Sequence, residues 1–213
     1  MMTDIVVLGG GGHAKVLIGL LKKLDWRVIG YTDERNRGLL LGAAHLGDDS
    51  VLPGVLEAHP SCSAMIGLGK IDASPRRMGL QSQLRTLGFD SPVIVSRQAV
   101  VNEDVALGAG TAVFDAVVVN SGTVAGLSCI LNTNSTVEHD CRLGDNVHVA
   151  PGATVSGRVT IGDDCMIGAG ATIVQAVTVC AGSLVGTGSV VVTDIERPGV
   201  YVGNPARRIR CPA

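Results

Sequence analysis

The sequence carries five histidines: His13, His45, His59, His139 and His148. His139 stands in Thr136-Val137-Glu138-His139-Asp140-Cys141, flanked by two carboxylates. An imidazole titrates near neutral pH. A carboxylate bonded to one ring nitrogen fixes the tautomer and raises the basicity of the other. The arrangement therefore suits a general base, and equally describes a solvated surface histidine. A second cluster is Gly9-Gly10-Gly11-Gly12-His13-Ala14, followed by the acids Asp33 and Glu34. Gly9-x-Gly11-x-x-Ala14 with an acid about twenty residues on is a dinucleotide-type fingerprint, in which small residues let the backbone approach a phosphate or sugar at a helix N-terminus. The six cysteines, Cys62, Cys129, Cys141, Cys165, Cys180 and Cys211, form no CxxC pair or metal spacing. They are expected to be reduced and mostly buried thiols.

The elements that hold His139 announce themselves by a repeat. From Leu107, steps of six reach Val113, Val119, Ala125, Leu131, Val137, Leu143, Val149, Val155, Ile161, Ile167, Ile173, Val179, Val185 and Val191, fifteen positions in one register. All but Ala125 are Val, Ile or Leu. Four residues after these positions the side chain is usually small, as at Thr111, Thr123, Cys129, Ser135, Cys141, Ala153, Cys165 and Ala171. Period six fits neither a helix face nor a simple alternating strand. It fits a triangular coil of three short strands, eighteen residues per turn, whose aliphatic column fills a prism and whose small residues fit beside the corners. Glycines directly after the aliphatic position (Gly108, Gly126, Gly144, Gly162, Gly168, Gly186) are expected to ease turns that need positive φ. Aromatics make up only 2% of the chain, which also favours a narrow aliphatic interior.

The first hundred residues read as alternating strands and helices, hence a small parallel α/β sheet. Strands are expected at Ile5–Leu8, Arg27–Thr32, Ala64–Ile66 and Pro92–Val95, and helices at Lys15–Leu24 and around Ser74–Leu87. The boundary is placed so that 1–95 form a Rossmann-like nucleotide-binding domain and 96–213 the coil with a C-terminal tail. Some 90 residues are too few for the two mononucleotide-binding halves of an NAD site, which favours one nucleotide portion of a substrate.

A net charge of −2 gives no footprint for nucleic acid. The N-terminus lacks the form of a targeting signal, so a cytoplasmic location is expected. Ala116–Val137 and Cys165–Thr193 contain no charged residue and are long enough to span a bilayer, yet their Gly, Ser, Thr and Asn content and strict period argue against a membrane span.

The hexad pattern resembles that of the hexapeptide-repeat acyltransferases. Glu138-His139-Asp140, His148-Val-Ala-Pro-Gly, the N-terminal Gly-Gly-Gly-Gly-His-Ala-Lys and the C-terminal Gly203-Asn204-Pro205-Ala206-Arg207 make the whole chain similar to the sialic-acid O-acetyltransferase and bacillosamine-pathway nucleotide-sugar N-acetyltransferase group. The resemblance implies a left-handed parallel β-helix and a homotrimer with active sites between subunits. It implies acetyl-CoA as co-substrate without a metal, and transfer to a nucleotide-linked amino sugar in bacterial glycan (polysaccharide) biosynthesis. It implies His139 as general base oriented by Asp140, where the group often has Glu, with Glu138 as the other available partner. Gly157, eighteen residues beyond His139, would supply an oxyanion N–H. His148 would lie near the thioester and sugar. Ala169 and Thr187 would line the pantetheine groove, and Arg207, with Arg208, would meet CoA phosphates. Gly11, Gly12 and His13 would form the sugar-nucleotide loop, Asp33 and Glu34 would contact base and ribose, and Gly67 would be a nearby glycine turn. His13 read alone is also an ordinary helix N-terminal residue, and Arg207 an ordinary solvated one.

Three alternatives follow from the residues. A zinc carbonic anhydrase on the same coil needs three histidine ligands, and the coil has two, nine residues apart. A non-catalytic trimer could bind a nucleotide sugar without turning it over. O-acetylation of sialic acid or a related sugar would use the same His139 chemistry, and the nucleotide-type loop favours N-acetylation.

Overall fold

The computed structural model describes residues 3–210, so Cys211 lies outside the described residues. The chain divides into two compact units, Met1–Gly69 with Arg76–Ile94, and Lys70–Pro75 with Val95–Ala213.

The first unit is a four-stranded parallel sheet with helices. Its strands are β1 (Asp4–Leu8), β2 (Arg27–Thr32), β3 (His45–Gly47) and β4 (Ser63–Ile66), in the spatial order β3-β2-β1-β4. The central strand β1 is buried from Ile5 to Leu8, as a parallel strand covered on both faces must be. Helix α1 (Gly12–Lys23) starts three residues earlier than its apolar pattern suggests, because Gly11 serves as N-cap and the glycine run enters the first turn. Its Leu17, Ile18, Leu20 and Leu21 face the core. Strand β3 and helix α2 (Leu52–Ala58) are short and weakly periodic, so no pattern in the sequence marks them. Helix α3 (Arg76–Leu87) follows β4.

One expected strand belongs elsewhere. Ile94–Val95 does not join the N-terminal sheet but stands at the edge of an eight-stranded sheet of the coil. Its spacing explains this, since Val95 is two hexads before Leu107 and so already follows the coil's period.

The second unit is built of two-residue strands repeating every six residues from Ile94–Val95 to Val190–Val191. Each pairs in parallel with the strand eighteen residues away, as in Thr136↔Thr154 and Val137↔Val155. Three separate ladders result, one per face of a triangular β-helix. The aliphatic column from Val113 to Val191 is buried, Ala125 included. So are the small residues four places on, from Thr111 to Ser189. The charge-free stretches 116–137 and 165–193 are therefore coil, and among the described residues no helix is long and apolar enough to cross a membrane.

The turn chemistry differs from the expectation in one respect. Positive φ falls three residues after the inward aliphatic, at all fifteen turns from Asp104 to Gly188, and not at the glycine directly following it. Those glycines are required by space: a Cβ on Gly144 would lie 2.2 Å from Asp163 Oδ1 and one on Gly108 2.4 Å from the Gly126 carbonyl oxygen. Val200–Val202 extends one ladder, and Arg207–Arg210 returns antiparallel against it, so the expected tail is a strand as far as it is described.

Candidate active site

His139 occupies the corner after the strand Thr136–Val137, two places beyond inward Val137. Its ring is 53% exposed, and Nδ1 lies 2.9 Å from Asp140 Oδ2. Asp140 takes the positive-φ position of this turn, φ 59°. That is a conformation Asp accepts more readily than most residues, because its short polar chain bonds locally. Gly122, one coil earlier, leaves room for this carboxylate, since a Cβ there would lie 2.6 Å from Asp140 Oδ1. Glu138 points along the strand face instead, where its Oε2 accepts from Asn120 Nδ2 at 2.8 Å. Asn120 in turn accepts from Asn102 Nδ2 at 2.6 Å, so residues spaced by eighteen form a polar ladder.

Gly157, on the next coil, lies against the other side of the imidazole: a Cβ on it would stand 2.6 Å from His139 Nε2. Arg158 N donates to the His139 carbonyl at 2.9 Å and fixes the register of the two corners. The Gly157 N–H donates to no acceptor among the described residues. At the corners of Leu127 and Asp145 the equivalent amides are capped. Asp145 Oδ1 accepts from Leu127 N at 2.7 Å, and Asp163 Oδ1 from Asp145 N at 2.8 Å. The corner beside His139 thus combines a carboxylate-held imidazole with an open amide, the parts needed to take a proton and to stabilise an oxyanion.

His148 is buried, with Nδ1 2.7 Å from the Lys70 carbonyl and Nε2 3.1 Å from Asn132 Nδ2. Asn146 Nδ2 donates to the Ser74 carbonyl at 3.2 Å. His148 and Asn146 therefore bind the segment Lys70–Pro75, which explains why that segment packs with the coil. No local pattern signals this contact, because the partners are 78 and 72 residues apart. Ala169 and Thr187 occupy the same corner position on consecutive coils, brought together by Gly168, where a Cβ would be 2.6 Å from Thr187 N. Arg207 is exposed and donates to the Ala206 carbonyl, while Arg208 donates twice to that of Pro198, at 3.2 and 2.9 Å.

In the first unit the glycine loop joins β1 to α1. Gly9 has φ +107°, which glycine alone adopts easily, and its N–H donates to the Thr32 carbonyl at 2.7 Å. Gly10 N donates to Asp33 Oδ2 at 2.8 Å, and a Cβ on Gly10 would strike Tyr31 at 2.6 Å. Gly11 and Gly12 have open space around them, and a phosphate-bearing ligand could approach their backbone there. Burial would raise the Asp33 carboxyl, but the Arg35 and Gly10 amides, with Arg37 and His45, outweigh it and hold the group below its usual range. Glu34 is exposed beside it. His13 flanks Gly69, whose Cβ would come within 3.3 Å of it. Gly67 has a packing duty, since a Cβ there would meet Val7 at 2.6 Å and Ala14 at 2.9 Å. Tyr31, Arg37 and His45 around Asp33 were not singled out from the sequence. His45 Nε2 lies 2.8 Å from the Asp33 carbonyl, and its ring is 5.3 Å from that of Tyr31.

Residues 4–74 match the family model of the PglD N-terminal domain, and 158–193 that of the hexapeptide repeat of succinyl-transferase. The acetyltransferase domain of PglB from Neisseria gonorrhoeae is 33% identical over 97% of this chain and 99% of its own, with a TM-score of 0.89. PerB from Caulobacter crescentus, solved with CoA and GDP-perosamine, is 34% identical over 98% of both chains, TM-score 0.90. WeeI from Acinetobacter baumannii is 27% identical over 98% of this chain and all of its own, TM-score 0.86.

Proposed function

Because the chain belongs to the hexapeptide-repeat sugar acetyltransferases of the bacillosamine and perosamine type, with their α/β domain and left-handed β-helix, we propose that this acyltransferase moves an acetyl group from acetyl-CoA to the 4-amino group of a nucleotide-linked sugar in bacterial glycan biosynthesis. The observation that carries the reading is His139, held through Nδ1 by Asp140 at 2.9 Å with Nε2 against Gly157.

The transfer is direct. With Nδ1–H donated to Asp140, Nε2 holds a lone pair and takes a proton from the neutral sugar amine as its nitrogen attacks the thioester carbonyl. The Gly157 N–H stabilises the oxyanion. The C–S bond then breaks, and the proton passes from His139 to the departing CoA thiolate. Asp140 keeps the imidazole in the right tautomer, and Glu138 stays on the Asn120 ladder. His148 holds Lys70–Pro75 beside the coil. Ala169 and Thr187 offer corner amides to the pantetheine arm, and Arg207 offers charge to the CoA phosphates. In the first unit Gly11, Gly12 and His13 receive the nucleotide phosphates, and Asp33 and Glu34 the ribose and base. The active assembly is a homotrimer.

The test is thiol release from acetyl-CoA, with nucleotide-linked 4-amino sugars and free sialic acid as acceptors. Release with an amino-sugar nucleotide, lost in His139→Ala by on the order of 10²- to 10⁴-fold, is expected. Release with sialic acid alone would transfer the assignment to O-acetylation. Undiminished turnover in His139→Ala would overturn the mechanism.

A further inference from the structure

Beneath the His139 corner runs an inward column of side chains spaced by eighteen, Val105, Thr123, Cys141, Val159 and Val177, buried from Thr123 to Val177. Three are valines. The two that can hydrogen-bond sit under the two corners that matter. Thr123 Oγ1 donates to the Glu138 carbonyl at 2.7 Å and accepts from Cys141 N at 3.1 Å. Cys141 Sγ donates to the Ser156 carbonyl at 3.1 Å. Both side chains are fully buried.

These carbonyls belong to the peptides Glu138–His139 and Ser156–Gly157. A trans peptide is planar, with C=O and N–H on opposite sides. A carbonyl drawn inward by a core donor therefore turns the following N–H outward, at His139 and Gly157. Burial raises the Cys141 thiol above its usual range, so it stays protonated and able to donate.

We infer that Thr123 and Cys141 are positioning residues, a buried hydrogen-bonded spine that aims the Gly157 amide at the reacting carbonyl and seats the His139 backbone. The inference rests on the acetyl-transfer reading for its catalytic consequence, but not for its structural one. The bond itself is a general device of the coil, since Cys129 and Cys165 donate likewise to the carbonyls of Gly144 and Cys180 at 3.2 and 3.1 Å. Those corners lie away from His139, and they supply the control.

Cys141→Val keeps the volume and apolar character, and valine already fills the same place at Val159. It removes only the donor. The expected result is a fall in kcat of roughly tenfold with little change in KM for acetyl-CoA or acceptor, an unchanged pH profile, and substantial recovery in Cys141→Ser. Cys165→Val should leave kcat within about twofold. Hydrogen exchange provides the second readout: Arg158 N–H, bonded to the His139 carbonyl, should exchange faster in Cys141→Val and not in Cys165→Val. Wild-type kcat or wild-type exchange in a folded Cys141→Val protein would overturn the inference. Absence of any acetyl transfer by the unaltered protein would overturn the functional reading instead, and exchange would still decide whether the spine orders the corner.

Discussion

The His139 corner depends on the absence of two side chains as much as on the presence of others. Gly122 makes room for the Asp140 carboxylate and Gly157 for the imidazole. In Gly157→Ala the new Cβ would lie 2.6 Å from Nε2, so the ring must swing away. Displacement of a catalytic group by about an ångström costs on the order of 10²-fold in rate. Steady-state kinetics should show that loss in kcat while thermal unfolding stays near that of the parent protein; an unchanged kcat would show that the ring is not held there. The Glu138-His139-Asp140 triplet was legible from the sequence, but not the division of labour within it. Asn120 claims Glu138 because both sit at the same hexad position one turn apart, a relation that appears only once the ladder register is known.

At the scale of the strand and turn, the coil is governed by how closely successive turns approach. Side chains at one position touch those eighteen residues away, so a single added methyl is felt by the neighbouring turn. Gly144→Ala places a Cβ 2.2 Å from Asp163 Oδ1, which caps Asp145 N at 2.8 Å. The expected cost is about 1–3 kcal/mol, read as a lower melting temperature. A neutral result would mean that the carboxylate moves aside freely. The period itself was plain in the sequence, because one aliphatic per hexad has no other regular explanation. The reason for the glycines was not. The left-handed turn falls on Asp, Asn, Ser, Ala and Arg as well as Gly, whereas at Gly108, Gly126, Gly144, Gly162, Gly168 and Gly186 atoms of the neighbouring turn stand where a Cβ would go. In the α/β unit, β3 and α2 escaped notice for the opposite reason, being too short to establish a period.

For the molecule as a whole, the shape of the prism is the reason to propose a trimer. A narrow β-helix exposes flat faces, and an acetyltransfer site composed of one edge needs a second wall to exclude water. Light scattering should give three times 21.8 kDa, unchanged in His139→Ala. A monomer that still turns over would remove the shared-site proposal. The segment Lys70–Pro75 belongs to the coil although it lies in sequence between β4 and α3. A boundary drawn once along the chain, at residue 95, cannot express that, because His148 and Asn146 recruit the segment from more than seventy residues away.

The sequence alone determined what is periodic or local: the six-residue column, its burial, the glycine loop between β1 and α1, and His139 between two acids. Each follows from neighbours along the chain or from a repeat that fixes its own register. Tertiary structure decided the contacts between turns: which acid holds His139, which amide stays open above it, and which buried donors turn that amide outward. Those contacts join residues eighteen or more apart through a backbone ladder, and their distances depend on side chains that the ladder brings together only after the chain has coiled.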